Sequence, residues 1–304
     1  MTLVVGVDLG GTKVRAAIAD ARGEILAVDE VRTADAGAGL AAAVAALEGR
    51  LVAQVGAAAA DVAVTAVGGA GVVTGDGFTD APHLDATAAA TLGGDLAVLV
   101  GHPVALENDV NVAALGALHA REAGESFAFV SLGTGIGMGL VIDGRIVRGA
   151  RGAAGEIGYL PMGADPTDPD NHRRGALEEV AAGETVAQRY ADLAGVELDT
   201  AEVFAAAARG DAGAEAAVDA YARWVAHAVG AVIAVVDPAL ILLGGGIGSR
   251  EDLAPRVRDW LAALGFVDTE VRASALGGRG PLLGAVRLAL STSSPEPARA
   301  SALT

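Results

Sequence analysis

Apolar positions along this chain follow two rhythms, one typical of strands and one of helices. Leu3 to Asp8 is a near-continuous apolar run, which predicts a strand covered on both faces. Leu9-Gly10-Gly11-Thr12-Lys13 interrupts it, and Val14 to Ala19 resumes as a second strand. Asp20-Ala21-Arg22-Gly23 reads as a turn, and Glu24 to Val31 as a third strand. From Ala38 to Val55 the apolar spacing lengthens to that of a helix. Val62 to Val67 is a further strand, closed by Gly68-Gly69-Ala70-Gly71. A loop around Ala81-Pro82-His83-Leu84, a short helix and the strand Val104-Ala105-Leu106 follow.

The same order then recurs. Phe127 to Leu132 is a strand, Gly133-Thr134-Gly135-Ile136-Gly137 a glycine loop, and Gly139 to Ile142 a second strand. Asp143-Gly144 is a hairpin turn, after which Arg145-Ile146-Val147 returns. Both halves therefore read as strand, Gly/Thr loop, strand, Asp-containing turn, strand, which predicts two related lobes. From Ala176 onward the pattern is mainly helical, with long segments at Ala201–Arg209 and Ala214–Val236. The strand Ala239 to Leu243 leads into Gly244-Gly245-Gly246, and a last helix covers Pro281 to Leu290. Ser291 to Thr304 is rich in Ser, Pro and Ala and is expected to be a disordered tail.

Composition narrows the function classes. The 304 residues suit about two domains. A net charge of −17 opposes binding to nucleic acid or to an anionic membrane surface, so an anionic ligand needs positive potential gathered locally. Zero cysteines exclude disulfides, thiolate zinc and a Cys nucleophile. The N-terminus lacks a basic segment ahead of an apolar one, so no secretory signal is expected. The longest apolar stretch, Ala228 to Ile247, is cut by Asp237-Pro238 and reads as two buried elements rather than a membrane span. A cytoplasmic protein is the expectation.

Glycine loops that directly follow apolar strands let backbone N–H groups approach phosphate oxygens. Three such loops occur here, and neither familiar phosphate template fits them. Gly6 to Lys13 has the length of a P-loop but ends Gly-Thr-Lys, and Met138 stands where a dinucleotide fingerprint needs glycine. Lys13 is the only lysine beside 20 arginines. Chance survival in an arginine-biased sequence is one reading; a compact ammonium needed beside a phosphate or a carboxylate is the other.

These segments resemble the motifs of the ROK family (repressors, open reading frames and sugar kinases) of the actin/hexokinase-like ATPases. Asp8 to Lys13 is similar to its first phosphate motif, and Leu132 to Gly137 to its second. Leu242 to Ile247 is similar to its adenosine motif, and Glu107-Asn108-Asp109-Val110-Asn111 to the segment bearing the catalytic aspartate. The resemblance implies an actin-like (ribonuclease H-like) α/β fold of two lobes with ATP and sugar in the cleft. The small lobe is expected over residues 1–106, joined by the last helix, and the large lobe over 107–280. It further implies Asp109 as general base on the sugar hydroxyl, Asn108 as a sugar ligand, and Asp8 as the organiser of Mg²⁺, usually through water. Gly10, Gly11, Thr12, Lys13, Gly133, Thr134 and Gly135 would line the phosphates, and Gly245 and Gly246 the adenosine. An alternative for Asp109 is that it simply caps the helix that begins at Val110.

Two departures from the family pattern bear on specificity. Glu156 keeps its place, but Tyr159 stands where zinc-containing members carry a His ligand, and Ala176-Leu177-Glu178 has Ala in place of Cys. The loss of both ligand types implies no structural zinc. Asp165, Asp168, Asp170 and His172 could imitate a metal site, though a solvated acidic loop explains them as well. Glu156, Tyr159 and Glu178 would still meet the sugar, as would Gly71, although Ala70 replaces the usual Pro. The expected activity is ATP-dependent phosphorylation of the 6-hydroxyl of a gluco-configured hexose or aminohexose, kanosamine being one example, by a homodimer. A sugar-responsive repressor is disfavoured, because the first strand begins at Leu3 with no DNA-binding domain before it. A non-catalytic sugar-sensing member is the remaining alternative.

Overall fold

In a computed structural model that describes residues 1–36, 39–79 and 84–293, each half of the chain builds its own five-stranded sheet. The chain divides into two compact units, residues 1–120 with 278–304, and residues 121–277.

The first unit contains β1 (Leu3–Leu9), β2 (Lys13–Asp20), β3 (Ile25–Arg32), β4 (Val62–Gly69), the hairpin of β5 (Val72–Thr74) and β6 (Gly77–Thr79), and β7 (Val104–Asn108). Its sheet runs β3-β2-β1-β4-β7, antiparallel across the first three strands and parallel from β1 to β4 to β7. β1 reads as apolar throughout because both faces are covered. Leu3, Val5, Val7 and Leu9 join Leu40, Val44, Leu47 and Leu51 of the helix Leu40–Gln54 in one core. The opposite face lies under the helix Gly280–Ser293, which reaches the backbone at Gly6. A buried polar cluster fastens the helix Leu40–Gln54 to β4: Thr65 Oγ1 donates to Glu48 Oε2 at 2.6 Å and stands 2.9 Å from His102 Nε2.

The second unit contains β8 (Phe127–Leu132), β9 (Ile136–Ile142), β10 (Arg145–Ile146), β11 (Leu240–Gly244) and β12 (Glu270–Ala273), in the order β10-β9-β8-β11-β12. Its first three strands are antiparallel and its last three parallel, so it repeats the topology of the first sheet. The duplication read from the sequence is thus a property of the fold. The helix Ala212–Val236 is long and apolar enough to cross a membrane, yet Ala217, Val218, Tyr221, Val225 and Val229 bury it in this unit's core. Asp237 ends it in a left-handed conformation, φ +49°, directly before Pro238.

Several expectations shift. The break between units falls after Ala120 rather than after 106, because the helix Asp109–His119 packs along Gly280–Ser293. That helix runs on through Ser293, so the first residues of the expected tail are helical; the remainder of the tail and the loop around Pro82 lie outside the described residues. β9 begins at Ile136, which shortens the second glycine loop to Gly133–Gly135. The hairpin β5–β6 and the strand β12 are too short to be read from the sequence, and the helix Leu253–Ala263, which buries Leu253, Ala254, Val257 and Leu261, is not singled out within the stretch read as mainly helical.

Candidate functional site

In the first unit the expected residues gather at the carboxyl ends of the parallel strands, where open α/β sheets bind ligands. Register aligns Asp8 with Gly68 and Glu107, and Leu9 with Gly69 and Asn108. Gly10, Gly11 and Thr12 form the tight turn joining β1 to β2, with Gly10 N–H on Lys13 O at 3.0 Å. Thr33 clamps this turn, its Oγ1 donating to Gly10 O at 2.7 Å and its N–H to Thr12 O at 3.0 Å.

Charges on β1, β2 and β3 sort themselves across the pleat. Asp8 and Arg15 are directly paired, and Arg15 faces Glu30 on the next strand. Arg15 donates to Asp8 Oδ2 from Nη2 at 2.6 Å and from Nε at 3.2 Å, and also bonds Gly278 O. Lys13 Nζ lies 2.6 Å from Glu30 Oε1. A carboxylate is thus the partner of the single lysine here. Arg15 is the cation that the sequence did not single out; its place opposite Asp8 is set by strand register.

Asp109 begins the helix Asp109–His119, and the capping role belongs to its neighbour. Asn108 holds extended angles, φ −61° and ψ 144°, and its Oδ1 accepts from the N–H groups of Val110 at 2.9 Å and Asn111 at 3.3 Å. Its Nδ2 donates to Gly71 O at 3.1 Å, which brings Gly71 to the same turn. Gly71 has φ +110°, a conformation for which glycine alone is suited. Asp109 accepts one backbone N–H, from Val110 at 2.9 Å. Burial pushes its carboxyl above the ordinary carboxylate range, and the charge of Asp8 adds to the rise. A carboxylate of raised basicity, sharing only the Val110 N–H with the Asn108 cap, is suited to accept a proton.

In the second unit the nucleotide-type loops converge. Gly133 and Thr134, just past β8, line a pocket of about 330 Å³ with Gly246 and Ile247, just past β11. Gly183, Glu184, Thr200, Ala201, Phe204 and Arg250 complete the lining. Gly245 adjoins it and holds its turn against Leu132. The Arg250 guanidinium lies 4.2 Å from the Phe204 ring centre and is fixed by Asp252 at 3.1 and 3.3 Å. No motif pointed to Phe204, on the helix Thr200–Ala208, or to Arg250, in the connection that follows the glycines after β11.

Glu156, Tyr159 and Glu178 share one neighbourhood, because Leu177 N–H bonds Gly158 O at 3.1 Å. Glu178 is more constrained than expected. Its Oε2 accepts from Ile136 N–H at 3.0 Å, and Arg174 Nε stands 3.5 Å from Oε1. Arg174 also donates to Glu184 Oε1 at 2.5 Å, and that bond holds its guanidinium more firmly charged than usual. Glu178 therefore braces the loop Gly133–Gly135. Tyr159 is 55% exposed, and its hydroxyl donates to Arg173 O at 3.1 Å. In the acidic loop the carboxylates cap their own turns: Asp165 accepts from Thr167, and Asp168 from Asp170. Among the described residues no three His, Cys, Asp or Glu side chains converge on a metal position.

Comparison with known proteins identifies the family. Residues 4–292 match the model of the ROK family. A glucokinase of Streptomyces coelicolor is 30% identical over 317 aligned positions, covering 95% of this chain and 98% of its own. Among solved structures, a ROK hexokinase from Thermus thermophilus superposes with a TM-score of 0.81 at 31% identity, covering 95% of this chain and 98% of its own. A ROK glucokinase from Streptomyces griseus, in complex with glucose and AMPPNP, gives 0.72 at 27% identity, with 94% and 99% covered.

Proposed function

The chain belongs to the ROK family and is an ATP-dependent sugar kinase with an actin-like α/β fold, and from that premise we propose that it phosphorylates the 6-hydroxyl of a gluco-configured hexose or aminohexose. The observation that carries the reading is Asp109, buried, raised in basicity and held on a turn capped by Asn108. Asp109 accepts the proton of the sugar hydroxyl as that oxygen bonds the γ-phosphorus. The bond from phosphorus to the bridging oxygen breaks, and ADP leaves. Phosphoryl transfer asks little more of the protein than positioning and charge.

The residues present fit a magnesium ion held through water. Arg15 occupies Asp8 Oδ2, so Oδ1 is the oxygen through which Asp8 can hold a water of the metal's shell. A Mg²⁺ ion held there would supply neutralisation of charge on the transferring phosphate. Within the first unit Gly10, Gly11, Thr12 and Lys13 are proposed as one phosphate-binding turn, and within the second unit Gly133, Thr134 and Gly135 as another. Gly245 and Gly246 hold the adenosine, with Phe204 and Arg250 lining the pocket. For the sugar, Gly71 and Asn108 are the proposed ligands of the first unit, and Glu156, Tyr159 and Glu178 those of the second.

The aminohexose half of the reading is supported by Tyr159. With its proton on Arg173 O, the phenol offers lone pairs to a ligand, and Glu156 and Glu178 add carboxylates. Such an acceptor-rich wall suits an ammonium group. The protein is further proposed to be a zinc-less, cytoplasmic homodimer with no nucleic-acid or membrane partner. The test is kcat/KM with ATP for glucose, mannose, glucosamine, kanosamine and N-acetylated hexosamines. A free aminosugar is expected to serve at least as well as glucose. A preference for glucose over both free aminosugars by about tenfold leaves an ordinary glucokinase. Turnover of N-acetylated sugars alone rejects both substrate assignments.

A further inference from the structure

The residue two positions before the proposed base takes no part in that reading, yet it is buried and doubly bonded. Glu107, next to last on β7, is 3% exposed. Its Oε1 accepts from Asn108 N–H at 3.0 Å and from Asn111 Nδ2 at 2.9 Å. Asn111 is also 3% exposed, and its Oδ1 is a buried atom without a hydrogen-bond partner.

Burying a carboxylate and an amide at one helix start costs free energy that apolar residues would avoid. The helix does not need them for capping, since Asn108 Oδ1 already takes the N–H groups of Val110 and Asn111. What the two bonds of Glu107 do is fix the residue before Asp109 and the residue two after it. One acceptor atom therefore holds the chain on both sides of the carboxylate that must meet the sugar hydroxyl. An error of about 1 Å in such a group is enough to cost much of its rate contribution.

We propose that Glu107 is a positioning residue, whose carboxylate clamps Asn108 and Asn111 and so aims the Asp109 side chain. The proposal rests on Asp109 as the base. A purely structural Glu107 would change stability and leave the rate per folded molecule alone.

The test uses the full chain with Glu107→Leu, Glu107→Gln and Asn111→Leu, each alone and combined with Asp109→Asn. Steady-state kcat and KM for ATP and glucose are measured on folded protein. Glu107→Leu is expected to lower kcat by about tenfold or more while KM for ATP stays within about twofold. Glu107→Gln keeps an acceptor for both donors and is expected to restore kcat to within about threefold of the parent. In the Asp109→Asn background, Glu107→Leu should change the residual rate by less than about twofold, because both act through one group. Equal losses in both backgrounds overturn the clamp, as does an unchanged kcat for Glu107→Leu or a Gln variant as damaged as the Leu variant. Should Glu107→Leu fail to fold, Asn111→Leu breaks the second bond and is judged by the same criteria. A fully active Asp109→Asn would remove the base reading and the clamp together, whereas an inactive one beside an undamaged Glu107→Leu removes the clamp alone.

Discussion

Asp109 combines a catalytic advantage with a cost in stability. Its carboxyl is raised mainly by burial and further by Asp8, so the folded state holds its proton more tightly than the unfolded state does. The sign follows: stability from this group is present below the unfolded value and is lost as pH rises through the raised folded one. Asp109→Asn removes that buried charge. It is expected to lower kcat by about 10²–10⁴-fold, as general-base removal does. At neutral pH the variant should melt no lower than the parent, and any gain in Tm should vanish below the ordinary carboxylate range. A variant keeping more than about a tenth of kcat would remove Asp109 as the base. The motif around Asp109 was legible in the sequence because its chemistry is contiguous. Arg15 and Lys13 were not: which carboxylate each cation meets depends on the pairing of β1, β2 and β3.

The helix that carries Asp109 depends on how closely the helix Gly280–Ser293 approaches it. A Cβ added at Gly284 would fall on Val112 O, and one added at Gly116 on Gly280 O. Backbone against backbone leaves no flexible side chain to yield, so Gly284→Ala forces the two helices apart. The expected cost is about 1–3 kcal/mol, in the range of overpacking, with Tm falling accordingly. Because Asp109 opens one of the two helices, kcat should fall as well, while KM for ATP changes little. A Gly284→Ala protein with parental Tm would show that the crossing is looser than described. This contact also explains why the unit boundary lies after Ala120, where sequence motifs placed it before Glu107. A glycine in a helix reads as a weakness along the chain, and its use appears only against the second helix.

For the protein as a whole, the missing zinc ligands lead to a further expectation. Elemental analysis should find zinc well below one atom per chain, and a chelator should leave Tm unchanged once Mg²⁺ is restored. One tightly held zinc per chain would return attention to Asp165, Asp168, Asp170 and His172. The loop there carries turns of its own: Gly175 N–H bonds Asn171 O at 2.9 Å, and Asn171 Nδ2 bonds Asp165 O at 2.9 Å. Short carboxylate-capped turns can replace a metal because each satisfies backbone donors locally.

Strand runs, glycine loops, the duplicated order and the Asn-Asp pair are all local patterns, and each was readable from the residues alone. They fixed the α/β class, the family resemblance and the kind of chemistry. Contacts between distant segments were not readable. Phe204 and Arg250 in the pocket, Glu178 on Ile136 N–H and the proton of Tyr159 on Arg173 depend on which elements become neighbours. A sequence encodes periodicity and spacing through its own backbone geometry. The partner of a buried polar group is chosen among all groups brought within reach, and that choice is made only when the sheets and helices pack.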